Sequence, residues 1–285
     1  MQKSKSYFIS REKLRKGEPT MKGFKITTVI VLALAVSLCM IPLMGQAKTA
    51  KKVDVQVVSK ITTNFKSNAT KFKKTCNVKY KDGLVTHYED ANGSFNMTYT
   101  KDNKIKKRVE TDTDRDKIVY NYTFKKGKVV KDGKSKECIY KDIFKSKAQK
   151  IVSAVLMIKD KGDKKFVKIP CKYSYKNDRV VKVVGDYGDF KAVDKYTYDK
   201  KGNMVKNVEK AGSKTTETIN AEIKYKNGLA VKITTKAIKP DMEEPINYSR
   251  TFKYKTIKVD KAAAKLIKKQ QWQVVNSDVV PGFVW

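Results

Sequence analysis

The 285-residue chain holds one histidine, His87, so any triad or imidazole base must run through it. Its neighbours, Leu84-Val85-Thr86-His87-Tyr88, alternate so that His87 falls on the solvated face of a strand, and no nucleophile-elbow sequence accompanies it. That is the setting of a surface histidine. Clusters of His and Cys at zinc-ligand spacing are missing. Asp112, Asp114 and Asp116 alternate as in a calcium loop, but the Gly and terminal Glu of the EF-hand pattern are absent, which favours a plain acidic turn. The pairs Asp186/Asp189 and Glu243/Glu244 are the residue types a glycosidase uses, yet nothing sets any two across a cleft. The sequence therefore assigns no catalytic residue, no metal ligand and no cofactor, and a hydrolase is its weakest reading.

Charge carries more information. Lys and Arg number 64 against 29 Asp and Glu, a formal net charge of +35, and such a field attracts polyanions and speeds their association. After residue 47 the arginines are Arg108, Arg115, Arg179 and Arg250; the other cations are lysines. Arginine's planar fork suits defined phosphate or base recognition, whereas lysine is a hydrated point charge. Specific nucleic-acid readout is thus disfavoured. A lysine coat also blocks edge-to-edge aggregation, so solubility competes with polyanion binding as its purpose. Lys79, Lys224 and Lys232 are the candidate polyanion contacts. The 15 tyrosines could stack on sugars, but their phase puts most of them on an apolar face, where they pack cross-strand.

A recurring unit organises these residues. A tyrosine or phenylalanine precedes a short polar turn ending in glycine or a substitute, with an aliphatic strand after it. Its turn residues are Gly83, Asn103, Gly127, Asp178, Gly202 and Gly228. A repeat of this length indicates a chain of β-hairpins. Around Lys226-Asn227-Gly228 a three-residue loop opposes Tyr225 to Leu229, Ile223 to Val231 and Ala221 to Ile233, leaving a Glu222–Lys232 pair outside. A two-residue turn would mix charged and apolar groups on one face. Further turn signals occur at Asn92-Gly93, Asp112 to Asp114, Asp132-Gly133, Gly185 to Gly188 and Ala211-Gly212-Ser213. This spacing predicts an all-β antiparallel meander of roughly a dozen strands. Ile151 to Ile158 reads as a buried strand. A short C-terminal helix is expected from the N-cap Asp260 to Lys269, with cations in its last turn, before Trp272, Val274 and Val275.

Residues 21–47 read as a signal peptide: Lys22 and Lys25, an apolar run, then Gly45-Gln46-Ala47 as a cleavage site. The run is also long enough to approach an uncleaved anchor. Residues 1–20 fit no part of such a signal and read as a leader ahead of a start at Met21. The remaining expectations are a less regular segment over 48–74, a hairpin-repeat domain over 75–259, and the helix and tail over 260–285. Cys76, Cys138 and Cys171 are an odd set, and Cys76 and Cys171 share one phase of the apolar face, so free buried thiols are favoured over a bridge.

The segment Tyr196-Thr197-Tyr198-Asp199-Lys200-Lys201-Gly202-Asn203-Met204-Val205-Lys206 resembles the YD repeat of Rhs-type bacterial surface and secreted proteins. Elsewhere Lys81, Lys176 and Lys226 stand in place of the aspartate. The resemblance implies β-hairpin sheets in a surface setting, for which carbohydrate binding has been proposed. Together these readings give an exported, non-catalytic envelope protein that binds anionic wall polymer or glycan. The alternative is a structural spacer or protein-docking module.

Overall fold

The structure is a computed structural model that describes residues 52–66, 71–90, 93–112, 116–125, 127–147 and 150–276. The leader and signal-peptide segments lie outside these residues. The strands are β1 (Lys52–Lys66), β2 (Lys71–Asn77), β3 (Lys79–Lys81), β4 (Leu84–Asp90), β5 (Gly93–Tyr99) and β6 (Ile105–Asp112). They continue as β7 (Lys117–Lys125), β8 (Lys128–Lys134), β9 (Cys138–Lys147), β10 (Lys150–Asp160), β11 (Val167–Lys176) and β12 (Arg179–Asp186). The last are β13 (Lys191–Tyr198), β14 (Met204–Ala211), β15 (Lys214–Lys226), β16 (Leu229–Ile238) and β17 (Ile246–Asp260), followed by helix α1 (Lys261–Asn276). Among the described residues the 17 strands exceed the dozen expected from the turn signals.

The meander closes on itself. β1 pairs antiparallel with β17 from Lys52↔Asp260 to Lys66↔Asn247, giving a barrel in which every other ladder joins neighbours in sequence. The segment 48–74, expected to be less regular, contains β1, a 15-residue strand paired with β17 and, over Lys60–Lys66, with β2. One seam is looser. β2 pairs with β1 and β3 with β4, and among the described residues no ladder joins β2 to β4.

Strict alternation makes these segments strands and gives the wall two unlike faces. In β11, Ile169, Cys171 and Tyr173 are buried, while Lys168, Lys172 and Lys176 are exposed. Inward residues of β1 and of β4 through β17 merge with Val274 and Val275 of α1 into one apolar cluster. Apolar burial at about 25 cal/mol per Å² makes this filled interior the main stabilising term.

The register differs from the expected three-residue loop. Asn227 (φ 48°) and Gly228 (φ 79°) form a two-residue turn with positive φ at both positions, so Lys226 opposes Leu229 and Tyr225 opposes Ala230. A bulge then skips Val231, and Ile223 meets Ile233 while Lys224 meets Lys232. The extra residue flips the phase of β16, which restores the apolar face that a plain two-residue turn would have scrambled. The turns at Asp82-Gly83 and Asn177-Asp178 repeat this, skipping Thr86 and Val181. In the other class a five-residue loop separates Tyr99 from Ile105 and Tyr198 from Met204.

The bulges explain the tyrosines. A bulge disturbs the ladder and leaves a backbone carbonyl in need of a donor. Tyr99 Oη donates to Val85 O (2.6 Å), Tyr198 Oη to Val180 O (2.7 Å) and Tyr254 Oη to Ala230 O (2.8 Å). Tyr80 Oη does the same for Val58 O (2.6 Å), beside the bulge of β1. Tyr99, Tyr198 and Tyr254 each reach the bulged strand paired directly with their own, β4, β12 and β16, so each hairpin is locked to the strand that follows it.

Two further expectations are corrected. Asp132-Gly133 is no turn but lies within β8, because Gly133 faces the Tyr120 ring, and a Cβ there would come within 2.5 Å of it. The C-terminal helix continues to Asn276 and has no cation in its last turn, since Trp272, Val274 and Val275 belong to it rather than following it. Its polar side chains seat it on the barrel. Gln271 Oε1 accepts from Val58 N (2.6 Å), Gln270 Oε1 from Val85 N (3.0 Å) and Asn276 Oδ1 from Met204 N (3.0 Å), while Trp272 Nε1 donates to Gly202 O (2.8 Å).

Tyr99→Phe removes the donor to Val85 O and the acceptor for Gln270 Nε2. Leaving these buried groups unpaired is expected to cost about 1–3 kcal/mol, read as a lower urea midpoint; an unchanged midpoint would contradict the bulge-capping role.

Candidate functional site

The outward face is the surface the fold leaves for contact. Alternation puts lysines there, and the ladders bring them opposite one another. Lys224 faces Lys232, Lys182 faces Lys195, Lys60 faces Lys253, and Lys128 lies between Lys125 and Lys145. The expected Glu222–Lys232 pair does not form; Glu222 opposes Thr234, a consequence of the Val231 bulge. Lys79, the third candidate contact, opposes His87 on the other side of the chain's repeat series. Like charges placed directly across a ladder destabilise it, so these rows are costly features that a bound anion would relieve.

The interior collects the other charges. Arg250 is fully buried, with Nη1 donating to Val274 O (3.4 Å). Arg108 is buried beside Glu110 (2.8 Å), with its guanidinium over the Phe95 ring (4.6 Å). Lys131 and Asp142 form a buried ion pair at 2.6 Å. Two of the four arginines after residue 47 therefore support packing from inside.

Asp194 and Glu209 oppose each other on β13 and β14, both buried. Burial first, and then the Glu209 and Glu217 charges, push the Asp194 carboxyl up to about 7, against the lowering effect of Asn207. A carboxyl held protonated is the state a general acid needs, but this one is enclosed among inward side chains. The acidic pairs noted in the sequence lie in turns: Asp186 Oδ1 accepts from Gly188 N (3.0 Å), and Glu243 and Glu244 are exposed ahead of β17. The run from Asp112 to Asp116 falls mostly outside the described residues.

Cys138 and Cys171 are buried free thiols, as is Cys76, matching the expectation. At the β2–β4 seam, however, the sequence reading placed Cys76 inside and His87 outside, and the structure brings them together. Cys76 Sγ lies 3.9 Å from His87 Nε2, which is 3.7 Å from Glu89 Oε1; the three ligand atoms are all within 4.8 Å of one another. His87 Nδ1 is 2.9 Å from Asn96 Oδ1, and Lys74 Nζ is 2.7 Å from Glu89 Oε2. Burial raises the Cys76 thiol and the Glu89 charge adds to it, against the Glu89 backbone N–H, Lys74 and Lys79. No sequence spacing announces this cluster, because β2 departs from the hairpin register that β3 keeps.

No family model matches the chain, and no curated protein matches it. Among solved structures, a porin-like protein from Bacteroides vulgatus ATCC 8482 is similar at 12% identity and TM-score 0.46, covering 70% of this chain and 98% of that one. A porin-like protein from Bacteroides uniformis ATCC 8492 is similar at 9% identity and TM-score 0.37, over 70% and 96% of the two chains. At these values the likeness carries no argument about this chain. Among the described residues no helix is long and apolar enough to cross a membrane, which leaves the strands to be read by their faces.

Because the folded state keeps the Asp194 proton that an unfolded chain releases near an ordinary pKa of about 3.9, its stabilising contribution is complete below that pH. It is lost as pH rises through about 7. Asp194→Asn is expected to flatten this decline between pH 4 and 8 in urea unfolding; a parallel decline in the variant would contradict it.

Proposed function

We propose that this chain is an exported, non-catalytic binding protein of the cell envelope whose lysine-rich outer face holds an anionic wall polymer or glycan. The observation that carries the reading is the set of directly opposed lysines, with Lys224 and Lys232 as its example. Folding tolerates their repulsion, and a linear polyanion lying across the strands would neutralise successive pairs. Recognition of this kind rests on charge density rather than on a shaped pocket, which agrees with lysine rather than arginine outside.

The faces also favour a water-exposed barrel. A membrane-spanning barrel presents an apolar band outward and polar groups inward. Here the tyrosines, valines and isoleucines point in, and exposed large apolar residues such as Val152, Val167 and Ile238 are scattered. The likeness of residues 196–206 to a YD repeat belongs to the same reading. Asp199 supports it by accepting from Asn203 N (2.9 Å) and binding the Tyr225 hydroxyl, which gives the aspartate of that unit a turn-forming role. Thr100 takes its place in the loop before β6, accepting from Lys104 N (3.1 Å).

Co-sedimentation with purified bacterial wall tests the proposal, comparing intact with teichoic-acid-stripped material at low and high salt. Binding is expected to disappear on stripping or at high salt, and to weaken at least several-fold in the Lys224→Glu/Lys232→Glu double variant, since each neutralised contact adds to the salt dependence. Salt-insensitive binding would indicate a protein partner or a neutral glycan instead, and absence of binding would leave the coat to solubility.

A further inference from the structure

We propose that Cys76, His87 and Glu89 form a binding site for a single divalent transition-metal ion of the zinc class, bridging β2 and β4 where the barrel wall lacks a ladder. The donor set is thiol, imidazole and carboxylate, the three ligand types zinc accepts. Their spacing is near what the ion needs. With bonds of about 2.3 Å to sulfur and 2.0–2.1 Å to nitrogen, a tetrahedral ion sets S and N about 3.6 Å apart. Cys76 Sγ and His87 Nε2 are 3.9 Å apart, a few tenths of an ångström from that value, and the three ligand atoms all lie within 4.8 Å of one another.

The surroundings prepare each ligand. Asn96 Oδ1 is an acceptor 2.9 Å from His87 Nδ1, so it favours the tautomer with the proton on Nδ1, which leaves the Nε2 lone pair facing Cys76. Ligating histidines are commonly oriented by such a bond. Lys74 occupies one Glu89 oxygen at 2.7 Å, while the other faces His87 at 3.7 Å. Cys76 now donates to Asn77 O (3.3 Å); on metal binding the S–H bond breaks, the proton passes to solvent, and an S–metal bond forms with no change of oxidation state. Three protein ligands leave the fourth position to water.

Position gives the site a purpose. Among the described residues the ladder of β2 over Lys71–Asn77 is the one with β1, while His87 and Glu89 belong to the β4–β5 ladder. An ion held by both sides joins them in place of the missing hydrogen bonds. This inference does not depend on anion binding by the lysine face.

The test is titration of the full chain with Co(II) under reducing, oxygen-free conditions. One equivalent is expected to bind with a thiolate-to-cobalt charge-transfer absorption, which Zn(II) then abolishes by displacement. Cys76→Ser is expected to lose the band, and Asn96→Ala to weaken binding about 10–100-fold. Cys138→Ser and Cys171→Ser should keep it. His87→Gln, at a partly buried position, serves as a second ligand variant should Cys76→Ser fold poorly by circular dichroism. No thiolate band in the wild type, or a band that survives both Cys76→Ser and His87→Gln, would overturn the proposal.

Discussion

The pairing of β1 with β17 is the constraint on which the other features rest. A sheet of this many strands has two edges and an apolar face, and each is a hazard in water. Joining Lys52–Lys66 to Asn247–Asp260 removes the β1 and β17 edges in one ladder, leaving the β2–β4 seam as the gap in the wall, and turns the apolar face inward. The cost is topological, because these partners lie nearly a whole chain apart and the loop between them must be ordered first. Helix α1 follows β17 directly and is fixed to backbone groups of β1, β4 and β14, so the last element strengthens the closure.

The outer face and the seam are then the parts of the wall not committed to the core. The interior is committed to packing, with Lys131 paired to Asp142, Arg108 to Glu110, and Asp194 set against Glu209 as a buried carboxyl pair. Outward positions contribute little to the core, and there the chain can carry opposed lysines at a modest energetic penalty. The seam between β2 and β4 is the place where the wall trades hydrogen bonds for side chains of another chemistry, and Cys76, His87 and Glu89 gather there because no ladder holds those strands.

Much of this was legible in the residues. The Tyr-turn-aliphatic unit gave the hairpins, the positive-φ slots at Gly83, Asn103 and Gly228 were found by residue type, and the lysine phase marked the outer face. What failed was register. Leu229, Val231 and Ile233 look like one unbroken alternation, and only the bulge reveals that Ala230 and Ile233 are the inward pair. A bulge leaves no residue signature of its own; its trace is the tyrosine of the following unit, which caps the carbonyl. Gly133 was misplaced for a related reason, since a glycine beneath an aromatic ring reads the same as a glycine in a turn. The helix was found but ended early, because Gln270, Gln271 and Gln273 appear to belong to a polar tail until their partners on the strands are known. The Cys76–His87–Glu89 cluster was invisible, as it depends on β2 leaving the register that β3 retains.

Hydrogen–deuterium exchange of the backbone amides tests closure most directly. The account predicts that β1 and β17 amides are protected to the same degree as those of mid-series strands such as β11 and β14, with faster exchange in the Lys71–Thr75 part of β2. Rapid exchange along alternate amides of both β1 and β17, the behaviour of free edges, would contradict a closed barrel and the outward placement of the lysine face that follows from it.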